Sequence, residues 1–544
     1  MAPHRDVAQQ GSKVCVIGAG PLGLMAVKNM KEAGLDVTCF EARSWIGGIW
    51  KYSDDESLSV ASTTIFNSSK YRSAISDYPF PADADDFPTW RQMWEYMQGY
   101  ADHFQLSPHI QLNTRVTHVS REGDAWVVEL LTKDGSRREY FDRVAVANGS
   151  FTTPKQPKFP GTEEFTGRTL HAIDFHHPET FQGQRVLLVG LHASAQDVAV
   201  GLSGHAAQLY ASHRNGVVLL PRYDTKGAVL DTSMTLNITR FCLFATTWFP
   251  NTLDWLLNKA IVATSKAAFP NMPKSWNFLP APSIATTAPL IADEIYPLLE
   301  SGFCEPVAAV SKITGPKTIE LKDGRTLNDI DAIIYTTGYD LSAPFLEDKY
   351  NPHGTPDTPP RLYRGTFPLH EDSRVRNSLA FLGHGAVAFP GFVQHELVTM
   401  AVSQIWSGNS SLPPLSEMQA WYRGFLEWRQ EKLNAQKSEA TFYTLIQPLT
   451  DHLRWMDSAA GTDVWEHFGW FSRKAWSFWW NNRKLYNLCA NGVFTPTIWR
   501  LFESGKRKSW HQAKEQIVLD NEAAQSQVRI RLEKTKLAGD KKTA

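Results

Sequence analysis

The sequence predicts an α/β fold built on two Rossmann-like dinucleotide-binding units, and three observations carry that reading. Two Gly-rich turns, Gly18-Ala19-Gly20-Pro21-Leu22-Gly23 and Gly190-Leu191-His192-Ala193-Ser194-Ala195, lie far apart in the chain. Each follows a short apolar run, residues 14–17 and 186–189, of the kind that forms a strand buried on both faces of a parallel sheet. Each leads into a helix-like stretch, so that glycines set backbone N–H groups and the positive helix end against a pyrophosphate. Two such turns imply two dinucleotides, and enzymes that hold two usually pass electrons between them.

At 544 residues the chain is too long for one core and divides into two or three domains. A formal net charge of -1 and the lack of a basic stripe with interleaved aromatics argue against a nucleic-acid partner. The five cysteines, Cys15, Cys39, Cys242, Cys304 and Cys489, include no CxxC pair and no metal-ligand spacing. Cys15 and Cys39 fall in the first two expected strands, where a free thiol packs as a small hydrophobe. Such usage points to a reducing compartment and a cytoplasmic location. The N-terminal run MAPHRDVAQQGSK lacks an apolar signal core.

The greasiest stretch, residues 241–268, is interrupted by Pro250, Asn251, Asp254 and Lys259, and is too broken to span a bilayer. It and the Trp-rich patch at Trp476, Trp479 and Trp480 are expected to pack on the protein itself, a peripheral membrane contact being the other option. The basic run 529–542, within a polar tail 521–544, reads as a solvated, frayed end. No oligomeric state is read from the sequence, a homodimer being one option.

After the first turn, residues 22–32 read as a helix closed by Ala33-Gly34, and Asp36–Phe40 as a strand ending at Glu41. An acid at the end of the second strand, ~20 residues past the glycines, accepts hydrogen bonds from an adenosine ribose and repels a 2′-phosphate. Gly18, Gly20, Gly23 and Glu41 therefore suit FAD or NAD rather than NADP. A second glycine pair, Gly47-Gly48, follows closely and lets the backbone approach a bound ring system without a Cβ in the way.

The run from Glu41 to Trp50 resembles the ExxxxxGGxW segment of the flavin-containing monooxygenases, whose members bind FAD there. Asn67-Ser68-Ser69-Lys70 and Ser76-Asp77-Tyr78-Pro79-Phe80-Pro81 are similar to that family's N-x-x-K…F-S-D-F-P-F-P block. Phe165-x-Gly167-x-x-x-His171-x-x-x-Phe175 resembles its FxGxxxHxxxY signature, with Phe175 departing from the usual hydroxylated or indole ring. His171 is carried as a domain-junction residue, not as an acid or base.

The second turn departs from the dinucleotide fingerprint, with His192 at the middle glycine and Ala195 at the third. A side chain at His192 is expected to crowd a pyrophosphate lying against the backbone. The plant and yeast-like branch of the family also lacks that glycine while keeping Ser and Asp, as at Ser194 and Asp197. The next strand, residues 208–211, runs into Ser212-His213-Arg214 where an NAD site would place an acid. A guanidinium at that position pairs with a 2′-phosphate, so Gly190, Ser194, Ser212 and Arg214 are assigned to NADPH, Arg214 as the specificity residue and Ser212 as a secondary contact.

Residues 331–340, Asp-Ala-Ile-Ile-Tyr-Thr-Thr-Gly-Tyr-Asp, are similar to the family's D-x-V-I-x-A-T-G-Y return crossover, which assigns Thr337 and Gly338 to cofactor contact. Residues 142–149 resemble the outbound crossover. The resemblance thus implies an FAD domain over 1–175, an inserted NADPH domain over 176–330, the second part of the FAD domain and the C-terminal region over 331–520, and then the polar tail. Residues 229–282 match nothing well and are expected to shape a substrate entrance.

The resemblance implies an FAD- and NADPH-dependent monooxygenase that forms a flavin C4a-hydroperoxide and passes one oxygen atom of O2 to a soft nitrogen or sulfur of a small organic substrate. Asn67 matches the family's active-site Asn, whose amide holds the peroxyflavin or retained NADP+. Baeyer–Villiger oxygenation of a ketone by the same adduct is the alternative, as is a non-oxygenating FAD-dependent oxidoreductase. A flavin disulfide reductase would need a cysteine pair, which the sequence lacks.

Overall fold

Alternation along two central strands decides how both sheets pack. In β1 (Lys13–Ile17), Val14 and Val16 enter one apolar core while Cys15 and Ile17 enter another on the opposite face. The first unit continues through α1 (Pro21–Glu32), β2 (Asp36–Phe40), β3 (Ile110–Gln111) and β4 (Arg143–Val146). The second comprises β5 (Arg168–His171), β6 (Arg185–Val189), α2 (Ala193–Leu202), β7 (Gln208–His213), a helical pair α3 (Leu236–Trp248) and α4 (Pro250–Ala268), β8 (Cys304–Ala308) and β9 (Ala332–Tyr335). The chain then supplies β10 (Leu379–Phe381), α5 (Gly391–Trp406), α6 (Arg473–Asn481), α7 (Arg483–Asn491) and α8 (Ala513–Thr543). The computed structural model describes residues 11–54, 58–355, 358–435 and 445–543, with side chains through residue 533. Most of the N-terminal run read for a signal core, residues 1–10, lies outside the described residues.

The first sheet has the order β10-β4-β1-β2-β3 and the second β8-β7-β6-β9-β5, every neighbouring pair being parallel. In β6, Val186 and Leu188 face one core and Leu187 and Val189 the other, repeating the β1 pattern. A three-stranded antiparallel meander precedes a central strand in each unit, residues 115–141 before β4 and 310–327 before β9. An acid stands immediately before that strand both times. Asp142 accepts the Lys13 N–H at 2.8 Å and Asp331 the Arg185 N–H at 3.0 Å, so each crossover begins by fastening to the strand it joins.

The chain leaves the first sheet after β4 and returns to it after β9. The outgoing and incoming segments pair antiparallel, with Thr153 opposite Asp340 and Pro154 opposite Tyr339. His171 locks this junction. Its Nδ1 accepts the Ile173 N–H at 3.2 Å and its Nε2 donates to the Gly338 carbonyl at 3.1 Å. Burial lowers the ring's pKa, which suits a neutral structural imidazole. Phe175 is buried against Phe181 and the Gly201 backbone, an apolar setting where a hydroxyl would find no use.

Two expectations are corrected. Run 529–542 does not fray: it lies in α8, whose Ala, Glu, Gln, Lys and Arg content favours helix without an apolar stripe. Arg531 on that helix pairs with Asp86, donates to the Gly227 carbonyl at 2.7 Å and stacks 4.3 Å over Tyr223. The aromatic stretches do not pack wholly on the protein either. Leu236, Thr239, Cys242 and Leu243 bury the inner face of α3, but Ile238, Phe241, Phe244 and Trp248 on its outer face stay exposed, as do Phe471, Trp476 and Trp480. A helix two-sided in apolar residues can bury only the face turned to the protein. All five cysteines are buried and free, and burial pushes the Cys304 and Cys489 thiols up to about 12.

Candidate functional site

The two glycine turns are built alike. The Gly18 N–H donates to the Phe40 carbonyl at 2.8 Å, and the Gly190 N–H to the Ser212 carbonyl at the same distance. Gly18 has φ +102° and Gly190 φ +114°. A Cβ on Gly18 would lie 2.7 Å from the Ala147 carbonyl oxygen, and one on Gly190 2.7 Å from that of Thr336. Thr336 adds a hydroxyl that donates to the Val189 and Gly190 carbonyls at 3.0 and 3.1 Å, so its replacement of the usual Ala reinforces the second turn. Neither α1 nor α2 has a side-chain cap or an acid in its first turn, which leaves both helix ends as anion sites.

In the first turn Gly23 packs so close that a Cβ would fall 1.8 Å from the Gly18 carbonyl oxygen. Gly48, at φ +61°, brings its backbone against Gly20, its added Cβ falling 3.0 Å from the Gly20 Cα. Glu41 is buried at the end of β2, where it accepts the Ala19 N–H at 2.7 Å and the Arg43 N–H at 3.0 Å. Each oxygen keeps a lone pair for ribose hydroxyls. Arg43, which sequence reasoning missed, braces the second glycine pair by donating to the Gly48 carbonyl at 2.9 Å and the Leu58 carbonyl at 2.5 Å. Its signal was its place two residues past the ribose acid. The close Gly20–Gly48 approach makes a cradle that any side chain would fill, and it fits the flat, extended body of FAD.

Trp50 is half-buried and edge-on to Phe66 at 5.3 Å, and Phe66 meets Phe392 at 5.2 Å. Asn67 follows Phe66 and is exposed. The next two residues are gripped from the other unit: Asp231 accepts the Ser69 N–H at 2.8 Å and the Ser69 hydroxyl at 2.7 Å, with the Ser68 hydroxyl at 3.3 Å. Nearby, Thr64 donates to the Asp197 carboxylate on α2 at 2.8 Å. Neither partner was identifiable from sequence, since both sit more than a hundred residues from the loop they hold.

In the second turn His192 does not lean into the phosphate mouth. Its Nε2 lies 2.9 Å from the Ala288 carbonyl oxygen, and burial lowers its pKa, keeping the ring a neutral donor. Ser194 is half-buried in the first turn of α2, and Ala195, at the third-glycine position, is fully buried. Ser212 is buried at the end of β7, with its hydroxyl donated to the Ala308 carbonyl at 3.1 Å. Arg214 stands exposed one residue beyond β7. Arg222, the other nearby guanidinium in sequence, is buried and neutralised by Asp293 and Glu294. Thr337 donates to the Lys155 carbonyl, and Gly338 turns with φ +80° where the chain re-enters the first unit.

Comparison with known proteins agrees with this construction. A family model described as "FMO-like: Flavin-binding monooxygenase-like" matches residues 11–536. The chain is 32% identical over 524 residues to monooxygenase aurF of Gibberella zeae, covering 93% of this chain and 97% of that protein. It is 30% identical to the N-oxide-forming dimethylaniline monooxygenase 2 of Rattus norvegicus over 75% of this chain and 76% of that one. Among solved structures, S-allyl-L-cysteine S-oxygenase from Allium sativum superposes with a TM-score of 0.60 at 22% identity, covering 83% and 89% of the two chains. Cyclohexanone monooxygenase superposes with a TM-score of 0.57 at 17% identity, covering 83% and 98%. At these identities both likenesses speak for the fold alone.

Proposed function

This chain belongs to the flavin-binding monooxygenase-like family, and from that premise we propose that it uses FAD, NADPH and O2 to place one oxygen atom on a soft nitrogen or sulfur of a small organic substrate. The observation that carries the reading is the repetition within one chain of an uncapped glycine turn, once beside an acid and once beside an exposed arginine. FAD, when bound, supplies the electrons that activate O2, having drawn them from NADPH.

The residues divide the binding work. Gly18 and Gly23 fold the turn tightly, Gly20 and Gly48 leave room beside it for FAD, Glu41 accepts its ribose hydroxyls, and Trp50 with Phe66 walls the site against water. Thr337 and Gly338 shape the crossover beside it. Gly190 and Ser194 take the second pyrophosphate, and Arg214 pairs with the 2′-phosphate that Glu41 would repel. The Asn67 amide donates to the bound flavin–nicotinamide system, steadied by Asp231 through Ser68 and Ser69. No nucleophile is needed, because these side chains bind, orient and exclude water while the cofactor carries the chemistry.

The choice of nitrogen over a ketone is supported by the N-oxide-forming dimethylaniline monooxygenase of Rattus norvegicus, 30% identical over three quarters of this chain, and sulfur is carried with it as the other soft nucleophile. The test is turnover under 18O2 with NADPH on a panel of tertiary amines, thioethers and cyclic ketones. One labelled atom in an N-oxide or sulfoxide is expected. Label appearing only in an ester made from a ketone would transfer the protein to the Baeyer–Villiger class, and NADPH consumption with no labelled product from any substrate would remove it from the oxygenases.

A further inference from the structure

The aromatic residues left outside the cores gather where cations outnumber carboxylates. Between 470 and 484 the sequence holds four cations and no carboxylate, and of these Lys474 is paired with Asp463 outside the stretch. Here Phe471 is 95% exposed, Trp480 79% and Trp476 63%. The patch is continuous with α3, since Phe244 meets Trp470 edge-on at 5.2 Å and Arg240 stacks 5.3 Å from the same ring. From there the exposed stripe Ile238, Phe241, Phe244 and Trp248 runs to the tip of the α3–α4 pair, where Phe249 is 62% exposed. Over residues 236–268 the only carboxylate is Asp254, which is already paired with Lys432. Beside α7 lies a groove of about 590 Å³, lined by Leu485, Leu488, Val518 and Leu519, with Lys484, Lys514 and a single carboxylate, Glu515, at its edge.

We propose that this face, formed by residues 470–488 and the outer side of α3, docks on an anionic lipid bilayer. So many exposed large rings exceed what a monomer's surface ordinarily carries. Indole and phenyl rings settle at the headgroup boundary, while flanking Lys and Arg reach anionic phosphates. A second copy of the chain is a poorer occupant, because an isologous contact would set the cations of 470–484 against their own like. Among the described residues no helix is long and apolar enough to cross a membrane, so the contact is a lying-on rather than a spanning one. The α3–α4 pair belongs to the segment expected to shape the substrate entrance, which would then open beside the lipid.

Flotation of the full flavin-loaded chain with vesicles of phosphatidylcholine, with or without phosphatidylserine, tests this without reference to the reaction. The protein is expected to float with the serine-lipid vesicles and to be released as salt rises. A Phe471→Ser, Trp476→Ser, Trp480→Ser variant should lose about tenfold or more of its partitioning, and Arg473→Glu with Lys484→Glu should abolish the preference for anionic vesicles. All five positions are exposed or lie at the surface, so retained flavin absorbance verifies the fold of each variant. A wild-type chain that never floats, or a triple Ser variant that floats unchanged, would overturn the assignment. So would a triple Ser variant whose sedimentation mass halves while its flotation holds, which would make the face a contact between copies.

Discussion

Three glycines of the first turn are required for three different reasons. Gly18 needs its positive φ and its approach to Ala147, Gly23 has no space for a methyl beside the Gly18 carbonyl, and Gly20 meets only Gly48 Cα at 3.6 Å, an ordinary contact. The protein alone therefore tolerates a methyl at Gly20, whereas a dinucleotide held against the turn, as we propose, would not. Gly23→Ala should lower stability by about 1–3 kcal/mol in urea unfolding. Gly20→Ala should leave the unfolding of the flavin-free chain unchanged and yet emerge from purification colourless. A yellow Gly20→Ala protein would show that the backbone need not be approached so closely. Arg214 offers the parallel test in the second unit. Charge-assisted hydrogen bonds contribute about 1.5–3 kcal/mol, so Arg214→Ala should raise the KM for NADPH roughly tenfold to a hundredfold, with kinetics on NADH nearly untouched. Equal losses with both coenzymes would displace the 2′-phosphate from Arg214.

Between elements, two polar junctions hold the binding units where they are. Arg500, buried at the end of the 3₁₀ turn Pro496–Arg500, lies 2.9 Å from Glu32 at the end of α1 and 2.8 Å from Asp77, with Glu396 of α5 at 3.8 Å. Lys28 also pairs with Glu32 and Asp77, and Arg507 approaches Glu32, so three cations face three carboxyl groups, of which Glu396 is pushed up to about 7 by burial and by Asp77. Arg500→Met would leave Asp77 and Glu396 buried short of a partner, and should cost about 3–5 kcal/mol. The exposed Arg374→Met, also removing a paired guanidinium, should leave the urea midpoint where it was. The second junction is Asp231 beneath the Asn67 loop. Asp231→Ala should leave the rate of flavin reduction by NADPH alone and raise hydrogen peroxide released per NADPH consumed, because the loop it frees governs sealing rather than electron delivery. A slower reduction with unchanged peroxide yield would place Asp231 in NADPH binding instead. Both junctions explain how far the sequence could be read. Periodicity and glycine spacing are local, so β1, α1, β2, β6, α2 and β7 were legible, as was the burial of Cys15 and Cys39. Arg500 and Glu32 stand 468 residues apart and Asp231 and Ser69 162, separations over which charge alone names no partner. Ser212 illustrates a related limit: spacing located it at the strand end, but not its hydroxyl on Ala308.

At the scale of the whole molecule, what the sequence hides is which apolar and ionisable groups the layers enclose. The rings of α3 and α6 and the side chains of the core draw on the same residue types, and only assembly separates the exposed from the covered. Buried histidines are the converse case. His452 is 1% exposed, and neither ring nitrogen has a partner among the described residues. Burial, with the nearby Arg364 charge, pushes its pKa down to about 3, and burial acts likewise on His384. An unfolded histidine titrates at about 6.5, so below that pH the unfolded chain takes up protons that the folded one refuses, and stability falls as pH drops. The carboxyls of Glu396, raised to about 7, and Asp457, raised to about 6, act in the opposite direction by binding protons in the folded state. A bare pH profile therefore mixes the two, whereas a difference between chains differing only at 452 isolates one. His452→Phe keeps a ring beside Trp455 and gives up no hydrogen bond. Its stability should fall less steeply with acid, by one proton, and should exceed that of the unsubstituted chain by about 2 kcal/mol at pH 5 relative to their difference at pH 8. Urea midpoints at the two pH values measure it. Parallel profiles for the two chains would mean that His452 takes its proton in the folded molecule, and that this core admits charge.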